Sequence, residues 1–195
     1  MAATGAWTTT DEARETTVDA GLTEQTRADA VELAGRYPES RSALLPMLHL
    51  VQSAEGQVTP AGIALCAEVL DLTTAEVAAV ATFYTMYKRH KVGRYHVGVC
   101  TNTLCAVLGG DAIWTALSER LGVGHDEVTA DGAISLEKIE CQAACTEAPC
   151  LQVNYRHRFR VTTADLDQLI DDLRDGALDG EIPPHGTLAR VRQQI

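Results

Sequence analysis

The sequence predicts an α/β chain, with an N-terminal helical bundle followed by a small sheet that has helices packed on it. Three observations carry this prediction. Between residues 24 and 90, apolar side chains recur at helical spacing and are interrupted by capping signals. From Tyr95 onward, short stretches alternate apolar with polar residues at the period of two required by a half-buried strand. Two cysteine pairs, Cys100 with Cys105 and Cys141 with Cys145, follow the first two of those strands.

Residues 1–23 are rich in Ala, Thr and acids without an apolar period, and are expected to form a mobile tail. Order begins near Glu24. Ala30, Val31, Ala34 and Tyr37 share a helical face, and Tyr37-Pro38 marks a stop. Ser40 is placed to cap a second helix that carries Leu44, Leu45, Leu48 and Val51 to a break at Gly56, with Pro46 tolerated in its early turns. Thr59-Pro60 pairs an N-cap with proline at the first helical position, leading into Ile63 to Leu70. Thr73 and Glu76 have the spacing of a capping box ahead of Val77, Val80 and Ala81. Cys66, between Leu65 and Val69, is read as a plain buried thiol.

Residues 91–176 follow the strand pattern. Tyr95, Val97 and Val99 alternate with His96 and Gly98 and deliver Cys100 to the end of a strand. Gly109-Gly110-Asp111 opens a helix with Ile113, Trp114, Leu117 and Leu121 on one face, so Cys105 is expected just ahead of a helix N-terminus. Ile134 and Leu136 mark a second strand ending beside Cys141. Leu151, Val153 and Tyr155, then Phe159 and Val161, predict a hairpin turning between Tyr155 and Arg158. Thr162 or Thr163 is placed to cap a last helix with Leu166, Leu169, Ile170 and Leu173, closed by Gly176. Residues 177–195, with Pro183-Pro184, are expected to be an extended tail.

The 195 residues carry a formal charge of -11, which argues against a nucleic-acid partner because phosphate binding needs an excess of Lys and Arg. No apolar run approaches the roughly 20 residues that span a bilayer. Asp11, Glu12, Glu15 and Asp19 near the start suit neither a secretory signal nor a transit peptide, so a cytoplasmic chain is expected. In a reducing compartment, cysteines point to metal or redox chemistry before disulfides.

The pairs are spaced C-x4-C and C-x3-C with 35 residues between Cys105 and Cys141. Structural zinc knuckles are tighter, plant-type ferredoxins use another spacing, and neither pair is the C-x-x-C of a dithiol oxidoreductase. Spacing favours a metal or cluster site and leaves disulfides and unrelated core thiols open. Four thiolates in two pairs match a [2Fe-2S] core, in which each iron takes two cysteine sulfurs. Thr101, Asn102 and Thr103 are either donors near sulfur or ordinary turn formers. Cys150, after Ala148-Pro149, is a candidate fifth ligand that such a core does not need. Arg156, His157, Arg158 and Arg160 form a basic patch, read either as a partner-facing surface or as a solvated strand face. No Gly-rich nucleotide motif and no H-E-x-x-H occurs, and no catalytic residue is expected.

Four segments together resemble a known family. They are Ala43-Leu44-Leu45-Pro46-Met47-Leu48-His49-Leu50-Val51-Gln52, Ala81-Thr82-Phe83-Tyr84-Thr85-Met86-Tyr87, Val99-Cys100-Thr101-Asn102-Thr103-Leu104-Cys105, and Glu140-Cys141-Gln142-Ala143-Ala144-Cys145 with Ala148-Pro149. In this order and spacing the chain is similar to the thioredoxin-like [2Fe-2S] ferredoxin subunit of bacterial respiratory complex I, NADH:quinone oxidoreductase. The resemblance implies a helical bundle at 24–90 and a thioredoxin-like cluster domain at 91–176. It also implies one [2Fe-2S] cluster, with Cys100 and Cys105 on one iron and Cys141 and Cys145 on the other. It further implies single-electron exchange with FMN on a partner flavoprotein subunit that oxidises NADH, and contact with the large iron–sulfur subunit of the peripheral arm. The implied location is the inner face of the bacterial plasma membrane, without insertion. Modules of NAD-linked hydrogenases and formate dehydrogenases use related subunits, and a non-redox zinc or disulfide adaptor is the alternative of another class. Two departures stand out: Ala143 where the family commonly has Gly, which predicts an altered loop backbone, and Cys150 where it usually has no cysteine.

Overall fold

The computed structural model describes residues 22–179, so the expected tails lie outside it apart from residues 22–23 and 177–179. Four helices come first: α1 (Glu24–Ala34), α2 (Leu44–Glu55), α3 (Pro60–Leu70) and α4 (Thr74–Phe83). There follow β1 (Tyr95–Cys100), α5 (Thr103–Val107), α6 (Gly110–Leu121), β2 (Glu127–Val128), β3 (Ile134–Ile139), β4 (Leu151–Val153), β5 (Arg156–Arg158) and α7 (Leu166–Asp175).

The helix boundaries follow from local hydrogen bonding. The Thr59 hydroxyl accepts from Gly62 N at 3.0 Å ahead of Pro60, and Thr73 and Glu76 close a reciprocal box at the start of α4. Ser40 does not cap α2. It opens a 3-10 turn, Ser40–Ala43, that runs directly into the helix. Pro46 falls at the third position of α2, where the missing N–H would have had no intrahelical partner. Gly56 ends α2 at φ 75°. Gly62 lets α3 lie against α2, since a Cβ there would come within 2.1 Å of Val51 Cγ1. Met47, Leu48, Val51, Cys66, Leu70, Val77 and Tyr87 belong to the core these helices share.

The sheet has the order β2-β3-β1-β4-β5, with β1 and β3 parallel and the other pairs antiparallel. Tyr95, Val97, Val99, Ile134, Leu136, Leu151 and Val153 lie on one face in register. They are buried with Ile113, Leu117 and Leu121 of α6 and Leu166, Ile170 and Leu173 of α7. The opposite face is polar. His96, Gly98, Glu137 and Gln152 line a cavity of about 380 Å³ together with Tyr84, Thr85, Met86 and Lys88, the segment that leaves α4.

Two further sequence expectations are corrected here. The hairpin turns at Asn154-Tyr155, with φ 44° and 66°, so β5 is Arg156–Arg158, and Phe159 and Val161 lie beyond it. Positive φ at both central residues is the two-residue hairpin turn that matches strand twist. Asn154 supports it from inside, accepting from His96 N at 2.7 Å and donating to Arg94 O at 3.2 Å. At α7 the N-cap residue is Asp165, whose carboxylate accepts from Thr162 N and Oγ1. Neither threonine caps the helix. The two-residue β2 escaped the sequence pattern because it has no alternation to detect.

Candidate metal centre

Parallel pairing sets the site. β1 and β3 run side by side with Cys100 opposite Ile139, so the loops that leave both strands emerge at one end of the sheet. Cys141 lies two residues past Ile139. Asn102 links the loops by donating its amide to Ile139 O at 3.5 Å, and so faces a carbonyl instead of a sulfur. Cys105 lies ahead of the longer helix, as the sequence suggested, but inside a short helix of its own, α5, and not in a loop. α6 begins immediately behind it: a Cβ on Gly110 would lie 2.6 Å from Cys100 O and 2.9 Å from Cys105 O.

The first pair is buried, with Cys100 1% and Cys105 4% exposed, whereas Cys141 and Cys145 are exposed. The thiol of Cys145 is pushed up by its hydrogen bond with Cys141, then by the charge of Cys141, by burial, and by the charges of Cys105 and Cys100. The four thiols therefore repel one another as they ionise. A donor set of this kind suits a cationic iron core, which relieves the repulsion and deprotonates the ligands. The residues present fit a [2Fe-2S] group.

The profile of the thioredoxin-like [2Fe-2S] ferredoxins matches residues 30–174. The chain belongs to that family. The ferredoxin is 58% identical over 146 residues to a Mycobacterium tuberculosis protein named as a subunit of NADH-quinone oxidoreductase, covering 75% of this chain and 58% of the relative. It is 39% identical over 148 residues to NADH-quinone oxidoreductase subunit 2 of Thermus thermophilus, covering 74% of this chain and 82% of the relative. The ferredoxin thus spans 58% of the length of the mycobacterial relative. Among solved structures, an NAD+-reducing [NiFe]-hydrogenase in the H2-reduced state superposes with a TM-score of 0.63 at 23% identity. The superposition covers 72% of this chain and 23% of that one, and shows a shared fold.

The second cysteine loop of the ferredoxin is held from several sides. Gln142 donates to Glu140 O at 2.6 Å and accepts from Gln152. Arg160 pairs with Glu147 at 2.7 Å and sends its backbone N–H to Glu147 O at 2.9 Å. Part of the predicted basic patch therefore secures this loop. His157 stacks on Phe159, and Arg156 is exposed on the edge strand. Ala143 lies at φ 54°, the left-handed region that glycine enters freely, so the departure noted in the sequence is carried as backbone strain.

Cys150 is the thiol whose position the sequence undervalued. Continuing the β1–β4 register, in which Val97 faces Val153 and Val99 faces Leu151, sets Cys150 opposite Cys100, and Cys100 N donates to Cys150 O at 3.2 Å. The sulfurs of Cys100, Cys105 and Cys150 all lie within 4.8 Å of one another. Strand pairing was the signal that could have found this. Cys66 stays a core thiol, pushed up to about 12 by burial. The sequence also did not anticipate the buried polar group on the other sheet face. There Glu137 accepts from Lys88 Nζ at 2.5 Å and bonds His96 Nε2 at 2.7 Å, while His96 Nδ1 meets Ser135 at 3.0 Å.

Proposed function

We propose that this ferredoxin is the electron-transfer subunit of an NADH:quinone oxidoreductase, with Cys100 and Cys105 holding one iron of a [2Fe-2S] cluster and Cys141 and Cys145 the other. The observation that carries this is the parallel β1–β3 pairing, which brings two thiol pairs to one end of the sheet. The names of relatives 58% and 39% identical support the assembly. When bound, the cluster supplies a one-electron site. The chain buries one pair and leaves the other at the surface, which gives a cluster shielded on one side and approachable on the other. Leu104, Val107 and Leu108 are exposed beside Cys105, an apolar patch suited to a partner subunit.

In this reading NADH and FMN belong to a partner flavoprotein subunit. NADH delivers a hydride worth two electrons, and a one-electron site beside the flavin lets them leave singly. A large iron–sulfur subunit is the second partner, and the assembly lies peripherally on the inner face of the plasma membrane. Among the described residues no helix is long and apolar enough to cross a membrane. The division into a helical unit at 24–90 and a cluster domain at 91–176 belongs to the same reading, and the two separate apolar cores support it.

The purified chain is expected to contain about two irons and two acid-labile sulfides and to give a rhombic EPR signal on reduction. Cys141→Ser abolishes that signal. Stoichiometric zinc without sulfide would overturn the proposal in favour of a structural adaptor. Gentle co-purification decides the assembly, since recovery of hydrogenase or formate dehydrogenase subunits would replace the respiratory partner.

A further inference from the structure

We infer that Cys150 is a positioning residue of the metal centre, a fifth thiol that is not a ligand and that donates its S–H to the sulfur of Cys105. The inference rests on the ligand assignment proposed above. Cys150 Sγ lies 3.8 Å from Cys105 Sγ, within reach of a sulfur hydrogen bond. Cys150 is 1% exposed immediately ahead of β4, packed with Ala148, Ala144 and Ile139, and its carbonyl is engaged by Cys100 N. The strand backbone therefore fixes where its side chain points.

A [2Fe-2S] core has places for four cysteine sulfurs, and the two pairs fill them. A ligand sulfur is a thiolate and can only accept, so in the 3.8 Å sulfur pair the hydrogen comes from Cys150. Hydrogen bonds to a ligand sulfur withdraw charge from it and favour the reduced, more negative state of the cluster. This donor acts on the buried Cys100–Cys105 side. Cys150 thus raises the reduction potential and distinguishes the buried iron from the exposed one.

Cys150→Ala and Cys150→Ser, each in the full chain, test this against the wild type by iron and sulfide content, EPR of the reduced protein and potentiometric titration. Both variants are expected to keep the wild-type iron and sulfide content. Cys150→Ala is expected to have a lower midpoint potential and altered g-values, and Cys150→Ser, whose hydroxyl still donates, to fall between it and the wild type. Cys150→Ser is nearly isosteric and is the variant to read if the alanine chain does not fold by circular dichroism. Unchanged potential and g-values would overturn the inference and leave Cys150 as packing. Loss of iron and sulfide from a folded variant would also overturn it, because Cys150 would then be a ligand. A wild-type chain without iron and sulfide would refute the ligand assignment itself, an outcome distinct from the other two.

Discussion

Ala143 holds φ 54° in the turn between Cys141 and Cys145, where a Cβ crowds the backbone at a cost of about 1 kcal/mol. Ala143→Gly is therefore expected to stabilise the protein by about 0.5–1 kcal/mol, the relief of strain being partly offset by the greater freedom of glycine when unfolded. A higher midpoint in thermal unfolding, with the EPR signal unchanged, would bear this out; a lower midpoint would show that the turn does not need left-handed geometry. The position was legible in the sequence only as a departure from a family pattern. Asn154 was not legible at all. A period-two pattern running through Leu151, Val153 and Tyr155 counts residue 154 as a solvent-facing strand position. In the fold it is buried and turns the chain, because its amide satisfies backbone groups of Arg94 and His96 that lie about sixty residues away in sequence.

At the scale of elements, the two cysteine loops depend on how closely α6 approaches the end of β1. Gly110 permits that approach, since the nearest atoms to a Cβ there are the Cys100 and Cys105 carbonyls, which cannot swing aside as a flexible side chain can. Gly110→Ala, at the first residue of α6, must push the helix away from both cysteines, an overpacking cost of about 1–3 kcal/mol. The expected outcome is a less stable chain with lowered iron and sulfide per mole and a broadened EPR signal. Full occupancy with a native signal would show that the loops do not rely on this contact. Most elements were readable because caps and apolar periods are local: Thr59, Thr73, Gly56 and Gly176 mark the ends they were expected to mark. What failed was also local in cause. Five-residue α5 and two-residue β2 are too short to establish a period, so Cys105 was expected in a loop and lies in a helix.

At the scale of the molecule, the helical core and the sheet core meet across polar groups whose partners are far apart in sequence. Gln52 of α2 donates to Tyr155 of the hairpin turn at 3.0 Å and accepts from Lys88 N at 2.6 Å, and Lys88 reaches Glu137 on β3. No local pattern announces such pairings, so the sequence carries no sign of this junction. Glu137 carries the testable consequence. Burial pushes its carboxyl up, but the hydrogen bonds and charges of His96 and Lys88 pull it down further, from the usual 4.5 to about 2. With the folded value below the unfolded one, its stabilisation is complete above about pH 4.5 and is lost as pH falls towards about 2. Glu137→Gln strands the buried Lys88 beside a neutral amide, so at pH 7 the variant is expected to be less stable by about 3 kcal/mol. As the pH is lowered, the wild-type carboxylate takes up its proton and comes to resemble the amide, and the gap between the two chains closes. Denaturant unfolding of both proteins from pH 7 to pH 4 measures the onset of that closure. Acid releases an iron–sulfur cluster from both chains alike, so the quantity to read is the difference between them. A difference that stays constant over this range while the wild type loses stability would place the acid sensitivity in other carboxylates. A difference that narrows below about pH 4.5 would show that the Lys88–Glu137–His96 group holds the helical unit against the sheet that carries the metal centre.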